Sequence, residues 1–286
     1  MEFLLVSLLV AMTVLLVWMM AVEPHRYQVT RQRVSVTKCR QHTLRILHLS
    51  DTHFARNDYW MSRFFDRLSQ EPYDFVFLTG DIFDCRAGIS FACKNLNKLK
   101  SRYGIYAVFG NHDYYNFFLQ DVLFHNFPGQ GMPFEAQPVE LFTKALEETG
   151  IRVLSNESVE CCHDGLPIVI YGLDDPTTER ANLRQTLQGF RPVKLNILLS
   201  HTVDVLLDVG EAEIDLSFSG HSHGGQVCLP FLGPVVLHTG LGLPYVSGIK
   251  RYKGTVCSIS RGLSASRFFP FRLLCRPEAV ILELHS

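Results

Sequence analysis

The chain has 286 residues, enough to bury one large core or two small ones. Lys and Arg total 27 against 28 Asp and Glu, a formal charge of −1, so the basic excess of a nucleic-acid binder is missing. With 47% of residues apolar or aromatic and only 19% charged, wholesale disorder is excluded.

The charge is unevenly placed. Residues 3–22 carry no charge, and only Ser7 and Thr13 are polar. A helix of that length rises roughly 30 Å, one hydrocarbon core, which predicts a single membrane anchor at 3–22. A cleaved signal peptide fits less well, since the run lacks a basic leader and a clear small-x-small site before Glu23. Residues 23–43 read as a basic juxtamembrane linker, with Arg26, Arg31, Arg33, Lys38 and Arg40 against one acid, Glu23. The positive-inside rule then places the rest of the chain in the cytoplasm. The eight cysteines form no CxxC pair, and free thiols in a reducing compartment are expected.

Beyond the anchor the elements come in a regular order. A weak alternation at 27–36 suggests a strand within the linker. Apolar strands are predicted at 44–49, 75–78 and 105–109, with helices at 59–69, 90–100 and 139–148 between and after them. The second half is richer in strands, at 168–173, 197–199, 216–218, 235–238, 255–260 and 280–284. Alternating strand and helix argues an α/β architecture, and strands this apolar belong to a covered sheet.

Five of these strands run directly into residue types that bind metals: Asp51-x-His53, Gly80-Asp81-x-x-Asp84, Gly110-Asn111-His112-Asp113, His201 and Gly220-His221-Ser222-His223. In α/β folds ligands collect outside the carboxyl ends of strands, so five such ends share one rim. Two divalent ions held close together repel unless an anion lies between them, and Asp81, at a strand end freed by glycine, suits that bridging place. Asp51 and His53 read as alternating on an extended stretch, pointing to one side and gripping one ion. If Ser222 points away, His221 and His223 serve one ion each, while Asn111 offers a neutral amide oxygen.

The five blocks, in this order, resemble the calcineurin-like metallophosphoesterase superfamily, over about residues 44–285. The resemblance implies a metallophosphoesterase domain at 44–286 and an α/β fold in four layers, two mixed β-sheets packed as a sandwich flanked by helices. It further implies that Asp51, His53, Asp81 and His223 hold one metal and that Asp81, Asn111, His201 and His221 hold the other. His112 is similar to the histidine that contacts the phosphate, Asp113 to its orienting partner, and Asp84 to an acid behind the ligands. Oxygen and imidazole donors without thiolate suit two Mn²⁺ ions, with Fe or Zn²⁺ as alternatives. Such a pair readies a water to attack phosphorus.

Three features bear on the substrate. The anchor sets the site beside a membrane. Residues 114–127 are dense in aromatic and apolar side chains (Tyr114, Tyr115, Phe117, Phe118, Leu119, Val122, Leu123, Phe124, Phe127), either a receiver for acyl chains or a lid on its own domain; His125 and Asn126 close it. The Gly220–Val227 block, with Arg261-Gly262-Leu263 and Arg276-Pro277-Glu278, resembles a membrane-associated branch of the superfamily. That branch includes the UDP-2,3-diacylglucosamine diphosphatase of lipid A synthesis. The leading expectation is therefore a single-pass enzyme of the cell inner membrane that cleaves this lipid-linked nucleotide, with the membrane and no protein partner implied. The alternatives are a general phosphodiesterase or phosphatase on another phosphoester or phospholipid headgroup, and a membrane-tethered scaffold without catalysis. No residue is assigned to substrate binding; Arg180, Arg184 and Arg191 could serve a phosphate or form a solvated face.

Overall fold

The computed structural model describes residues 1–39, 42–117, 135–210, 212–265 and 270–285. Helix α1 (Glu2–Val17) continues as a π-turn and a 3₁₀ turn to His25, and this 24-residue stretch is long and apolar enough to cross a membrane, with none of its most apolar window buried. Then follow β1 (Gln28–Ser35), β2 (Leu44–Leu49), α2 (Tyr59–Leu68), β3 (Phe75–Thr79), α3 (Ile89–Leu96), β4 (Ile105–Val108), α4 (Asn111–Tyr114), β5 (Tyr115–Asn116), β6 (Glu135–Ala136), α5 (Val139–Glu148) and β7 (Ile151–Val153). The second half holds β8 (Glu157–His163), β9 (Leu166–Gly172), β10 (Leu195–Leu199), β11 (Leu216–Ser219), β12 (Cys228–Leu229), β13 (Gly233–Pro234), β14 (Gly248–Tyr252), β15 (Thr255–Ile259) and β16 (Glu278–His285).

Two six-stranded mixed sheets result, in the orders β1-β16-β2-β3-β4-β7 and β14-β15-β11-β10-β9-β8. Strand periodicity explains the layering. Phe75 and Phe77 alternate with Val76 and Leu78; the first pair faces the second sheet, the other pair faces the helices. Between the sheets, Ile46, Phe75, Phe77, Ile170, Ile197, Leu199 and Phe218 form one core. Each such fully buried side chain contributes about 1.5–3 kcal/mol. Helices α2, α3 and α5 cover the outer face of the first sheet, and the 3₁₀ turn Val203–Leu207 lies against the second. The α/β sandwich of mixed sheets is thus the observed fold.

His48 lies within this dry layer and makes it specific. Its ring bonds Ser258 Oγ (3.0 Å) and Thr79 Oγ1 (2.8 Å) across the two sheets, and burial drives its pKa down to about 3.

The strand expected at 27–36 forms: β1 pairs in parallel along all of β16, from Gln28 opposite Glu278 to Ser35 opposite His285. Its basic residues are paired too. Arg31 meets Glu71 (2.5 Å), Arg33 meets Glu283 (3.0 Å), Lys38 meets Asp215 (2.8 Å) and Arg26 meets Glu23 (3.0 Å), which spends much of the positive charge on the protein itself. The strand expected at 235–238 does not form; a two-residue ladder, β12 with β13, precedes it, and Val235 and Val236 are exposed with no sheet to cover them.

Direction is what positions the site. Strands β2, β3 and β4 are mutually parallel, as are β9, β10 and β11, and their carboxyl ends reach one rim of the sandwich. Strand β1 runs opposite to β2 and therefore starts at that rim, so the apolar N-terminal helix emerges there.

Candidate metal centre

Each strand end contributes donors. Asp51 and His53 follow β2, Asp81 and Asp84 follow β3, Asn111 and His112 follow β4, His201 follows β10, and His221 and His223 follow β11. Three groups of side chains close to within 4.8 Å among themselves: Asp51, His53, Asp81 and His223; Asp81, His201 and His221; and His53, Asp84 and His112. Asp81 belongs to the first two. Its Oδ2 lies 3.3 Å from His201 Nε2 and 3.7 Å from His53 Nε2, while its Oδ1 accepts the His112 amide at 2.8 Å.

The backbone here is bent out of the usual conformations. Asp51, His53, Asp81, His221 and His223 have φ of 49°, 42°, 49°, 66° and 49°, in the left-handed region that costs a non-glycine residue about 1–3 kcal/mol. The extended stretch expected at 51–53 is therefore absent, although Asp51 and His53 still reach the same group. Thr52 between them turns inward and donates to the Ile82 carbonyl (2.9 Å). Ser222 likewise turns away and donates to the Val246 carbonyl, which leaves His223 in one group and His221 in another. Close approach requires glycine at two places: a Cβ on Gly80 (φ 84°) would strike the His201 ring, and one on Gly220 would strike Ser50 and Asp51.

The donor set fits divalent ions. The Asn111 Oδ1 atom is buried without a hydrogen-bond partner. Ring nitrogens face one another at 3.1 Å between His201 and His221 and at 3.4 Å between His53 and His223, so all four rings turn a nitrogen to a common space. Burial lowers His221 to about 3 and His223 well below the ordinary imidazole range, so both are neutral at pH 7, the form in which an imidazole can bind a metal. His201 differs. Burial would lower it, but Asp81, with Asp51 and Asp175 behind, raises it well above that range. Its Nδ1 is held by the Thr79 carbonyl at 2.9 Å, which leaves Nε2 for the centre. For Asp81, burial is outweighed by His201 and then His112, and its carboxyl sits well below the usual carboxylate range. Adding Mn²⁺ to metal-free protein near pH 7 should therefore release protons, measurable in weak buffer with an indicator dye. No release would argue against His201 as a ligand.

Residues 44–229 match the calcineurin-like phosphoesterase family. The chain belongs to this family. It is a metallophosphoesterase, a hydrolase of phosphoesters that works with divalent metals. Among curated proteins it is 34% identical over 190 residues to the uncharacterized metallophosphoesterase YkoQ of Bacillus subtilis, covering 65% of this chain and 63% of that relative. It is 28% identical over 251 residues to the UDP-2,3-diacylglucosamine pyrophosphatase LpxG of Chlamydia muridarum (75% and 74% covered). It is 26% identical over 280 residues to the phosphodiesterase YaeI of Escherichia coli (92% and 90% covered).

The metallophosphoesterase rim redistributes two roles read from the sequence. Asp113 does not meet the His112 ring. It is fully buried, and its carboxylate accepts the amides of Gly110 (2.9 Å), Ile82 (3.2 Å) and Phe83 (2.8 Å), tying two metal loops together. Burial, with Asp81 nearby, pushes its pKa up to about 7 against the pull of those amides. The carboxylate that faces His112 Nδ1 is Asp84, at 3.7 Å, and Asp84 also faces His53 Nδ1 at 3.5 Å. Asp84→Asn is expected to weaken metal binding by about 10- to 100-fold, read by metal titration of the activity, as is usual for a partner behind a ligand. Asp113→Asn, which pits an amide NH₂ against backbone N–H groups, should cost about 1–3 kcal/mol of stability in denaturant unfolding. An unchanged unfolding midpoint would remove that structural role.

Other residues at the rim gave little warning in the sequence. Arg272 is fully buried; its Nη2 donates to the Ser264 carbonyl, which also holds His223 Nδ1 (3.0 Å), and to the Arg261 carbonyl (2.9 Å). His238, at no ligand spacing in the sequence, sets its ring 5.8 Å from His221. Beside the centre lies a cleft of ≈ 350 Å³ lined by Asn111, Tyr115, Phe117, Thr177, Thr178 and His221, among others. Phe117 lies against His112 (4.6 Å between rings), whereas Tyr114 is buried and donates to Asp174 (2.6 Å). The rest of the aromatic stretch, with His125 and Asn126, lies outside the described residues. Asp174 and Asp175 serve their loop, taking Ser155 and Tyr114, and Thr177 and Thr178. Arg180 stacks over Tyr114 at 4.1 Å, and Arg191 donates to carbonyls of its own turn.

Proposed function

We propose that the chain is a dinuclear Mn²⁺ enzyme of the cell inner membrane that hydrolyses the pyrophosphate of UDP-2,3-diacylglucosamine, giving UMP and 2,3-diacylglucosamine 1-phosphate, on the cytoplasmic side. The observation that carries the dinuclear reading is Asp81, one carboxylate shared by two donor groups. In this reading Asp51, His53, Asp81 and His223 hold one ion, and Asp81, Asn111, His201 and His221 hold the other. The lipid substrate is supported by the apolar helix leaving at the active rim, by the LpxG relatives and by the apolar side of the cleft.

Bound there, divalent ions supply Lewis acidity and bring the pKa of a water toward neutrality. The chain's own groups do the rest. His112 keeps Nδ1 toward Asp84 and turns its other nitrogen to the phosphoryl group; burial lowers its pKa to about 4, so it gives a proton to the departing oxygen only once the substrate's own negative charge has drawn one onto the ring. Tyr115 and Phe117 wall the cleft and exclude water from one side. Arg272 and Asp113 fix the loops that carry His223 and Asp81.

A second reading, a phosphodiesterase of broader substrate range, is favoured by the YaeI match, which covers most of both chains. The test is purified full-length protein with Mn²⁺, offered the lipid nucleotide and bis(p-nitrophenyl) phosphate. UMP release carries the first reading. Hydrolysis of the diester with no UMP carries the second, and turnover of neither, with no metal retained, indicates a scaffold.

A further inference from the structure

Among the described residues, the hairpin made by β12 and β13 is the most exposed apolar feature beyond the N-terminal helix. Phe231 is fully exposed with φ of 67°, Leu232 is 75% exposed, and Leu229, Val235 and Val236 flank them without cover. Nothing in the sandwich needs these side chains, and water penalises them. Their position relates them to the apolar helix. The β12 amide of Cys228 donates to the Leu273 carbonyl (2.8 Å), and the Leu273 amide donates to Gln226 (3.1 Å). The neighbouring amide, of Arg272, donates to the carbonyl of Met19 in the last turns of the apolar segment (3.0 Å).

That junction is tied by side-chain hydrogen bonds. Glu23, buried, accepts from Trp18 Nε1 (3.0 Å) and from Arg26 (3.0 Å). His25 and Tyr27 reach Asp58 at the start of α2, where Tyr59 and Trp60 stand exposed as an edge-to-face pair. Trp18, Tyr59 and Trp60 thus ring the exit of the helix, as aromatic residues do at a membrane surface. The hairpin itself lies between His223 of the centre and His238, whose ring is 5.8 Å from that of His221.

We infer that the Phe231–Leu232 tip inserts into the outer acyl region of the same bilayer the N-terminal helix crosses, a second membrane contact that holds the metal rim against the lipid surface. The inference rests on the membrane reading given above. Its occupant is the bilayer and not a second copy of the chain, because the hairpin is joined through Leu273 and Arg272 to Met19 at the helix exit, where Trp18 stands. A substrate with acyl chains could then reach the cleft with its phosphate rising from the headgroup layer.

The test keeps the full chain in vesicles of phosphatidylethanolamine and phosphatidylglycerol with tritiated acyl chains. The photo-crosslinker p-benzoylphenylalanine is introduced singly at Phe231, at Leu9 in the apolar helix, or at Val193. Val193 is 81% exposed but precedes β10, at the end of the sheet away from the rim. Labelling at 231 should exceed that at 193 by at least about tenfold, as for an apolar tip seated in the interface. Hydrolysis of bis(p-nitrophenyl) phosphate, unchanged in all three, shows that each has folded. Label at 9 but not at 231 overturns the hairpin contact and leaves the anchor standing. Label at neither overturns both. Protein–protein crosslinks at 231 in place of lipid assign the patch to a second copy and also overturn the inference.

Discussion

Replacing Asp81 with Asn should lower phosphoester turnover by about 10³-fold while the chain stays folded, because a shared anion between two dications supplies several kcal/mol and each 1.36 kcal/mol is tenfold in rate. The substitution isolates charge from shape. Asn tolerates the left-handed conformation at φ 49°, and its amide oxygen can still take the His112 amide that Asp81 accepts at 2.8 Å. What it loses is the negative charge between His201 at 3.3 Å and His53 at 3.7 Å. The variant should bind less than two metals per chain by elemental analysis and keep its circular dichroism. Without Asp81, the principal group raising it, His201 should also fall toward neutrality, so proton release on adding Mn²⁺ should shrink. Turnover close to that of the parent protein would refute the bridging role and, with it, the dinuclear reading.

The fold and the rim were legible in the sequence to different depths, for physical reasons. Strands buried on both faces read as unbroken apolar runs, so β2, β3 and β4 stood out, as did the helix at 139–148, whose apolar stripe packs on the first sheet. Edge strands have one wet side and a diluted pattern. That is why β1, with its alternating basic residues, shows only a weak alternation, and why β8 and β14 leave no clear pattern. The donors were legible because each follows a strand directly. Their conformation was not, since left-handed Asp and His leave no periodic trace. Residues that work through a neighbour were the hardest to find. Nothing local to Arg272 signals that it lies behind His223, 49 positions away in the chain. Asp113 and Asp84 are both acids near His112 in the sequence, and only the fold shows that the first faces backbone amides and the second the imidazole.

In the sequence, a twenty-residue apolar run followed by a basic stretch points to a membrane. In the structure most of that positive charge is paired with Glu23, Glu71, Glu283 and Asp215, so attraction to anionic lipid is a weaker guide than the basic count suggests. Geometry takes its place. The helix exits at the carboxyl ends of the strands because β1 runs antiparallel to β2, so in the proposed membrane reading the metal rim is the face nearest the bilayer.

Substituting His112 with Ala should lower turnover by about 10²–10⁴-fold with metal content unchanged, the range for a positioned proton donor. The backbone contact survives, because it is the amide of residue 112, not its ring, that bonds Asp81. The ring itself is set by Asp84 at 3.7 Å, by Phe117 at 4.6 Å and edge-on by His53 at 4.8 Å, and none of these groups needs it in order to fold. The size of the loss should depend on the leaving group. p-Nitrophenolate departs without a proton, whereas an alkyl or sugar phosphate oxygen needs one, so the variant should lose far more on the unactivated ester. Equal losses on both would leave His112 as a phosphate contact only. A change in metal content would instead make it part of the cage, consistent with its place beside His53 and Asp84 in the third donor group.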